Sequence, residues 1–213
     1  MTAKMRRTGV QRPRTSTQRG QSLVEFAISS IVLLLLMMGL LDLSRAFYYA
    51  VDLQGAAREG ARHGAWFDTA SRSNIFMDDS DVMSAVTAGL SGSGIICTGV
   101  NGINCFVPSA QCLTPTDGNT LNNKPYAAAA FPATTQLVNV YICYTQPSST
   151  PVPANGPQFG TWPTHPTDNY WRLGDINVSL LMNFALITPF IQNLFGNGIN
   201  MAFNEHFVIQ GKP

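Results

Sequence analysis

The chain has 213 residues, enough for one folded domain beside shorter segments, and only 12% of them are charged, about half the usual share. Its formal net charge of +1 hides an uneven distribution: six of the 13 basic residues, Lys4, Arg6, Arg7, Arg12, Arg14 and Arg19, precede the first acid, Glu25, and the chain past residue 20 holds seven basic against 12 acidic residues, a formal −5. A basic run alone is weak evidence for nucleic-acid binding, and the apolar segment that adjoins this one turns the reading from nucleic acid to a membrane.

The basic stretch, residues 1–20, leads into Gly20-Gln21-Ser22-Leu23-Val24-Glu25-Phe26 and then the uncharged run Ala27 to Leu41. Those 15 residues rise about 22 Å as a helix, short of a hydrocarbon core of roughly 30 Å, so Ser22 to Val24 and apolar positions beyond Asp42 complete a span over about 22–43. Lys and Arg clustered beside such a span stay cytoplasmic, which places the N-terminus inside and the C-terminal domain outside. Glu25 stands at the mouth of the run. A carboxylate costs about 2.5–3.5 kcal/mol at the centre of an inserting helix and is by default functional. Cutting the chain after Gly20 turns Gln21 into a cationic N-terminus four residues before Glu25, which supplies that carboxylate with a partner. A secretory signal peptide needs a small-residue cleavage site after its apolar region, and Leu41-Asp42-Leu43-Ser44-Arg45 is a poor one. An uncleaved anchor explains charge and hydropathy equally well; only Gly20 and Glu25 argue against it.

From Leu43 the pattern turns amphipathic. Leu43, Phe47, Ala50 or Val51, Leu53 or Gln54, Ala57, Ala61 and Ala65 recur at three- and four-residue steps and predict one helix from Ser22 to about Trp66. Half of it belongs in lipid and half against the exported domain. Ala57, Ala61 and Ala65, with Gly60 and Gly64 beside them, permit close backbone approach; alternatively, Gly55, Gly60 and Gly64 mark a fraying helix end. Arg58, Glu59 and Arg62 form either a solvated charged face or a docking face.

Downstream, Asp78, Asp79 and Asp81 before Val82-Met83-Ser84-Ala85-Val86 predict a short capped helix, and they lack the glycine and distal glutamate of an EF-hand calcium loop. Residues 91–125 read as exposed loop. Gln136 to Tyr144 is a strand by its β-branched and aromatic content. Six prolines between Pro147 and Pro166, with Pro132 upstream, exclude a central strand there. Asp175 to Leu186 predicts a long strand, Pro189 to Phe195 a helix after a capping Thr188, and Ile199 to Gln210 the last strand. Cys97, Cys105, Cys112 and Cys143 fall on the outer side and predict two disulfides with three connectivities open. No C-x-x-C pair occurs, and His165 and His206 lack ligand spacing, which argues against zinc. His63 and His206 read as structural histidines. No phosphate-cradling loop or nucleophile elbow is present, so no catalytic, cofactor or metal residue is assigned.

Gly20 with Glu25 in the fifth position after it, then Phe26 and an apolar helix, resembles the site cut by prepilin peptidases. The runs Gly39-Leu40-Leu41-Asp42-Leu43-Ser44-Arg45-Ala46-Phe47 and Ala56-Ala57-Arg58-Glu59-Gly60-Ala61-Arg62 resemble the TadE-like family, pseudopilins of the tight-adherence (Tad) pilus. The resemblance covers about residues 20–66 and is weaker over Asp175 to Gln210. It implies a pilin-like α+β fold: a leader, 1–20; a long helix, 21–66; and an exported head, 67–213, with an antiparallel sheet. It also implies a membrane-anchored minor pilin without enzymatic activity, cofactor or small-molecule substrate. The implied partners are the prepilin peptidase, the other Tad pilins and pseudopilins, and the assembly platform. A second reading is an uncleaved anchored enzyme or binding module with its site in residues 67–174.

Overall fold

A computed structural model of the chain describes residues 18–68, 73–74, 79–95, 112–113, 116–117, 124–145, 152–153 and 172–210. The basic leader before Gln18, Cys97, Cys105, His165 and most of the proline-rich stretch lie outside the described residues. The chain forms two compact units, Met1–Leu40 and Leu41–Pro213.

The first element, α1, is Gln18–Gly64, a helix of 47 residues long and apolar enough to cross a membrane. Within the first unit its apolar side chains are bare: Leu33 is 66% exposed and Leu36 67%. A row of that size is stable in hydrocarbon or against partners, not in water. The helix stops at Gly64 rather than Trp66, whose ring lies 5.2 Å from the Arg62 guanidinium.

In the second unit a two-residue ladder, β1 (Phe67–Asp68) with β2 (Ser73–Asn74), precedes α2 (Asp79–Leu90). Then come β3 (Val138–Thr145), β4 (Val152–Pro153), β5 (Asp175–Ala185), α3 (Pro189–Phe195) and β6 (Gly198–Val208). The sheet order is β4-β3-β5-β6, antiparallel throughout. Three long strands carry it; β4 touches the β3 edge at Cys143 and Tyr144 alone, as prolines confine a strand to an edge. This is the expected α+β plan.

Alternation sorts the sheet residues onto two faces. Val138, Val140, Ile142 and Tyr144 of β3 and Ile176, Val178, Leu180, Met182 and Phe184 of β5 join Leu53, Ala56, Ala57 and Ala61 of α1 and Val82, Val86 and Leu90 of α2 in one core. The other face is polar and is satisfied by the segment 126–132. Ala130 O accepts from Asn139 Nδ2 at 3.0 Å and from the Tyr141 hydroxyl at 2.7 Å. Pro132 O accepts from Asn183 Nδ2 at 3.3 Å, and the Tyr126 hydroxyl meets Ser179 Oγ at 3.3 Å. Burial pushes the Tyr126 and Tyr141 phenols above their ordinary value, so both stay neutral. Cys143, on this face, is bonded to Cys112 across 31 residues, as one of the three connectivities requires.

Two element ends differ from the sequence expectation. Gln136 has φ 64, a left-handed conformation that ends the ladder, and β3 begins at Val138. Gln210 leaves β6 and donates its N–H to Ala65 O at 3.0 Å, joining the end of the chain to the end of α1.

The seam of α1 also differs. Leu43, Phe47 and Val51 face outward, at 53%, 63% and 69% exposure. The inward row is Asp42, Ala46, Tyr49, Leu53, Ala56 or Ala57, Gly60 or Ala61, Gly64 or Ala65. Because an acid heads this row, the apolar pattern points to the wrong face over residues 43–51, whereas from Leu53 on its Leu53, Ala57, Ala61 and Ala65 are the buried residues. Its lower end is small for a steric reason: a Cβ on Gly60 would strike Val86, and one on Gly64 would strike Ile176. On α2, a Cβ on Gly89 would stand 2.8 Å from Ala56 Cα, whereas Gly55 has nothing within 4 Å. The glycines therefore separate into those that set helix-to-helix distance and one that does not. Gly89→Ala should destabilise the folded chain by about 1–2 kcal/mol through overpacking against backbone. Gly55→Ala, in open space, should stabilise it by about 0.5–1 kcal/mol. Unfolding of the detergent-solubilised variants, followed by circular dichroism, measures both.

Candidate functional site

The residues of the expected processing site stand together at the start of α1, where Gly20, Gln21, Glu25 and Phe26 are all exposed, Phe26 at 72%. A Cβ built on Gly20 meets nothing within 4 Å. Packing among the described residues therefore does not require a glycine there. Phe26, Leu33, Leu36, Met37 and Leu40, with Ser29 and Ser30, line a shallow apolar groove of about 720 Å³ along the same stretch.

Arg58, Glu59, Gly60 and Arg62 do not act as a unit. Gly60 is buried against Val86 and Val178, while Arg58 and Arg62 are exposed. Arg62 Nε donates to Glu59 Oε2 at 3.1 Å, and hydrogen bonding from Arg62 holds the Glu59 carboxyl below its ordinary value. The pair is nearly half exposed on both sides, so its contribution to stability is small. The charged residues do not make the contact with the head, which is made by Gly60 and its small neighbours. His206, on the outer part of β6, meets Asp175 Oδ2 through Nδ1 at 2.6 Å, the structural role expected of it. No group of three or more His, Cys, Asp or Glu able to hold a metal occurs among the described residues.

The most heavily engaged charge is one that sequence reasoning assigned no role. Asp42 is only 4% exposed. Its Oδ1 accepts from the Ile187 N–H at 3.0 Å and its Oδ2 from the Thr188 N–H at 2.9 Å, and Arg45 Nη1 lies 3.5 Å from Oδ1. The Thr188 hydroxyl also bonds to the carboxylate. Thr188 is the N-cap residue of α3, as expected, yet its side chain makes no capping bond; it is turned to Asp42, and the helix closes through Gln192 N–H to Thr188 O at 3.0 Å. The Arg45 guanidinium in turn stands 5.2 Å over the Phe184 ring, so the ion pair rests on the core. The clue in sequence was an acid ending an apolar run in step with the inward row Leu53, Ala57 and Ala61.

Removing that carboxylate leaves two backbone donors without their acceptor, at about 1–3 kcal/mol each where they are buried. Asp42→Ala should cost about 2–4 kcal/mol of stability, and Asp42→Asn, which keeps one acceptor oxygen, roughly half as much. Thermal unfolding of the two variants should show that order; equal midpoints for parent and Asp42→Ala would remove the tie from the account.

No curated protein and no solved structure matches the chain. Its N-terminal segment does have a match, over the exposed residues Gly20 to Phe26, the apolar run, Asp42 and the small-residue seam: residues 20–62 fit the family model described as TadE-like protein, the family that the same motifs resemble.

Proposed function

We propose that the chain is a membrane-anchored pseudopilin, or minor pilin, that takes part in assembly of a Tad/Flp-type pilus used for adherence or secretion. The observation that carries the reading is the TadE-like match over residues 20–62, on a helix whose apolar side chains find no cover within their own unit. A prepilin peptidase removes residues 1–20 on the cytoplasmic side, where the basic leader holds the N-terminus. The helix over 21–66 anchors the chain in the bacterial cytoplasmic membrane, and the head, 67–213, lies in the periplasm or outside the cell. The exposed row of Leu43, Phe47 and Val51 supports assembly, because it offers other pilins and the assembly platform an apolar face that the head does not use.

Cleavage is expected between Gly20 and Gln21, since the peptidase must approach the backbone at the scissile bond and glycine leaves it open. In a strain with a working prepilin peptidase, intact-mass measurement should find a chain beginning at Gln21, and Gly20→Phe should retain the leader. A parent protein still beginning at Met1 rules out processing and returns weight to the uncleaved anchor.

Glu25 is expected to serve assembly rather than insertion. Its charge pairs with the new N-terminus of the same or a neighbouring subunit and sets axial register as helices stack. Insertion scales penalise an acid in the span, so Glu25→Gln should enter the membrane at least as well as the parent. Crosslinking to the Tad pilin and pilus number should both fall. Normal crosslinking and normal pili in that strain would falsify the assembly role.

A further inference from the structure

Counting 20 residues at 1.5 Å each, a span that opens at Ser22 crosses a hydrocarbon core of about 30 Å and closes at Leu41. Asp42 is the next residue, and so marks the depth at which the helix leaves the hydrocarbon. The hydrogen bonds at 3.0 and 2.9 Å hold the backbone of Ile187 and Thr188 against that carboxylate. Whatever the head does elsewhere, the connection from β5 into α3 is held at the level of Asp42.

The composition of that part of the head fits such a place. Between Asp175 and Glu205 there is no charged residue and no histidine, and this stretch holds the connection, α3 and the halves of β5 and β6 that adjoin it. Ile187 points out of the fold at 61% exposure, and Pro189 beside it is exposed too. α3 has the sequence Pro-Phe-Ile-Gln-Asn-Leu-Phe, in which four of seven residues are large and apolar. Beside it, Thr134, Thr135, Gln192, Asn197 and Asn200 line an open cleft of about 850 Å³ with amides and hydroxyls. Apolar residues next to neutral hydrogen-bonding groups suit the boundary between acyl chains and headgroups, where a charge would have to be kept in water. The acid at that boundary, Asp42, is already satisfied by N–H and hydroxyl donors and by Arg45, so it need not draw water into the contact.

We propose that the β5–α3 connection, led by Ile187, lies in the surface of the lipid leaflet where the anchor helix ends, and that Asp42 holds it there. The proposal rests on the reading of α1 as a membrane span. A second copy of the chain is the competing occupant of the same apolar patch.

The test uses the full chain in phosphatidylcholine vesicles, with a photoreactive benzophenone side chain replacing, in separate preparations, Ile187, Leu34 in the span, or Asp81 at the exposed start of α2. Mass spectrometry after illumination then reads lipid adducts. The expected result is a yield at position 187 within severalfold of that at position 34 and far above that at position 81. Asp42→Ala should lower the adduct at 187 and leave the one at 34 unchanged. Lipid adducts at 34 with none at 187 overturn this proposal while the span stands; no lipid adduct at 34 removes the span and this proposal with it. Adducts at 187 to a second copy of the chain, in place of lipid, also overturn it, and an adduct at 187 that Asp42→Ala does not lower overturns the role given to Asp42.

Discussion

A carboxylate placed immediately after an apolar helical run has to be satisfied where water is scarce, and the fold around Asp42 is arranged to do so. An unpaired buried charge is among the costliest features a chain can carry. Asp42 meets two backbone N–H groups and a hydroxyl from the β5–α3 connection, and Arg45 from its own helix. Residues separated by 145 and 146 positions in the chain are joined by those two backbone bonds. The same bonds fix which face of α1 meets the head. Once Asp42 faces inward, the helical repeat brings Ala46, Tyr49 and Leu53 inward after it and turns Leu43, Phe47 and Val51 outward. Tyr49 then lies 5.7 Å from the Phe184 ring, the same ring that Arg45 covers, so the charged tie and the apolar core share a boundary.

Further along, the seam changes from polar tie to close steric fit. Gly60 and Gly64 bring the α1 backbone against Val86, Val82, Val178 and Ile176, and Gly89 receives Ala56. Glycine in a helix costs roughly 0.5–1 kcal/mol against alanine, and here the cost is offset by burying the core of β5 under two helices at short range. The central strand can afford polar residues on its other face because the segment 126–132 supplies a carbonyl or hydroxyl to Asn139, Tyr141, Asn183 and Ser179. β5 is consequently buried on both sides although only one side is apolar.

Much of this was legible in the sequence. The long helix, the strand over 175–185, the helix opened by Pro189 and the last strand rest on periodicity, proline placement and β-branched content, which are local properties. The small residues at 57, 60, 61 and 64 announced close packing without naming the partner. What could not be read is non-local. The inward row of α1 was read correctly from Leu53 on but misjudged over 42–51, because hydropathy ranks Leu43 and Phe47 above Asp42, and only the Ile187 and Thr188 backbone, far away in sequence, makes the acid an inward residue. Thr188 was legible as the N-cap position, but the direction of its side chain depends on the same distant carboxylate. At the start of α1 the order Gly20, Glu25, Phe26 was plain in the sequence, since it is a matter of spacing along the chain rather than a product of folding.

The two rows of α1 divide its work. One, from Asp42 to Ala65, is consumed by the chain's own head, and any substitution in it is felt as stability. The other, through Leu43, Phe47 and Val51, is more than half exposed among the described residues and continues the apolar character of the run before it. A helix that folded its head with the larger side chains would have no apolar face left for a membrane or a partner. By folding it mostly with a carboxylate, alanines and glycines, with Tyr49 and Leu53 as the larger inward residues, this chain keeps Leu43, Phe47 and Val51 outward. That choice explains why the inward row looks weak on any hydrophobic scale, and it makes head folding and helix association separable by mutation.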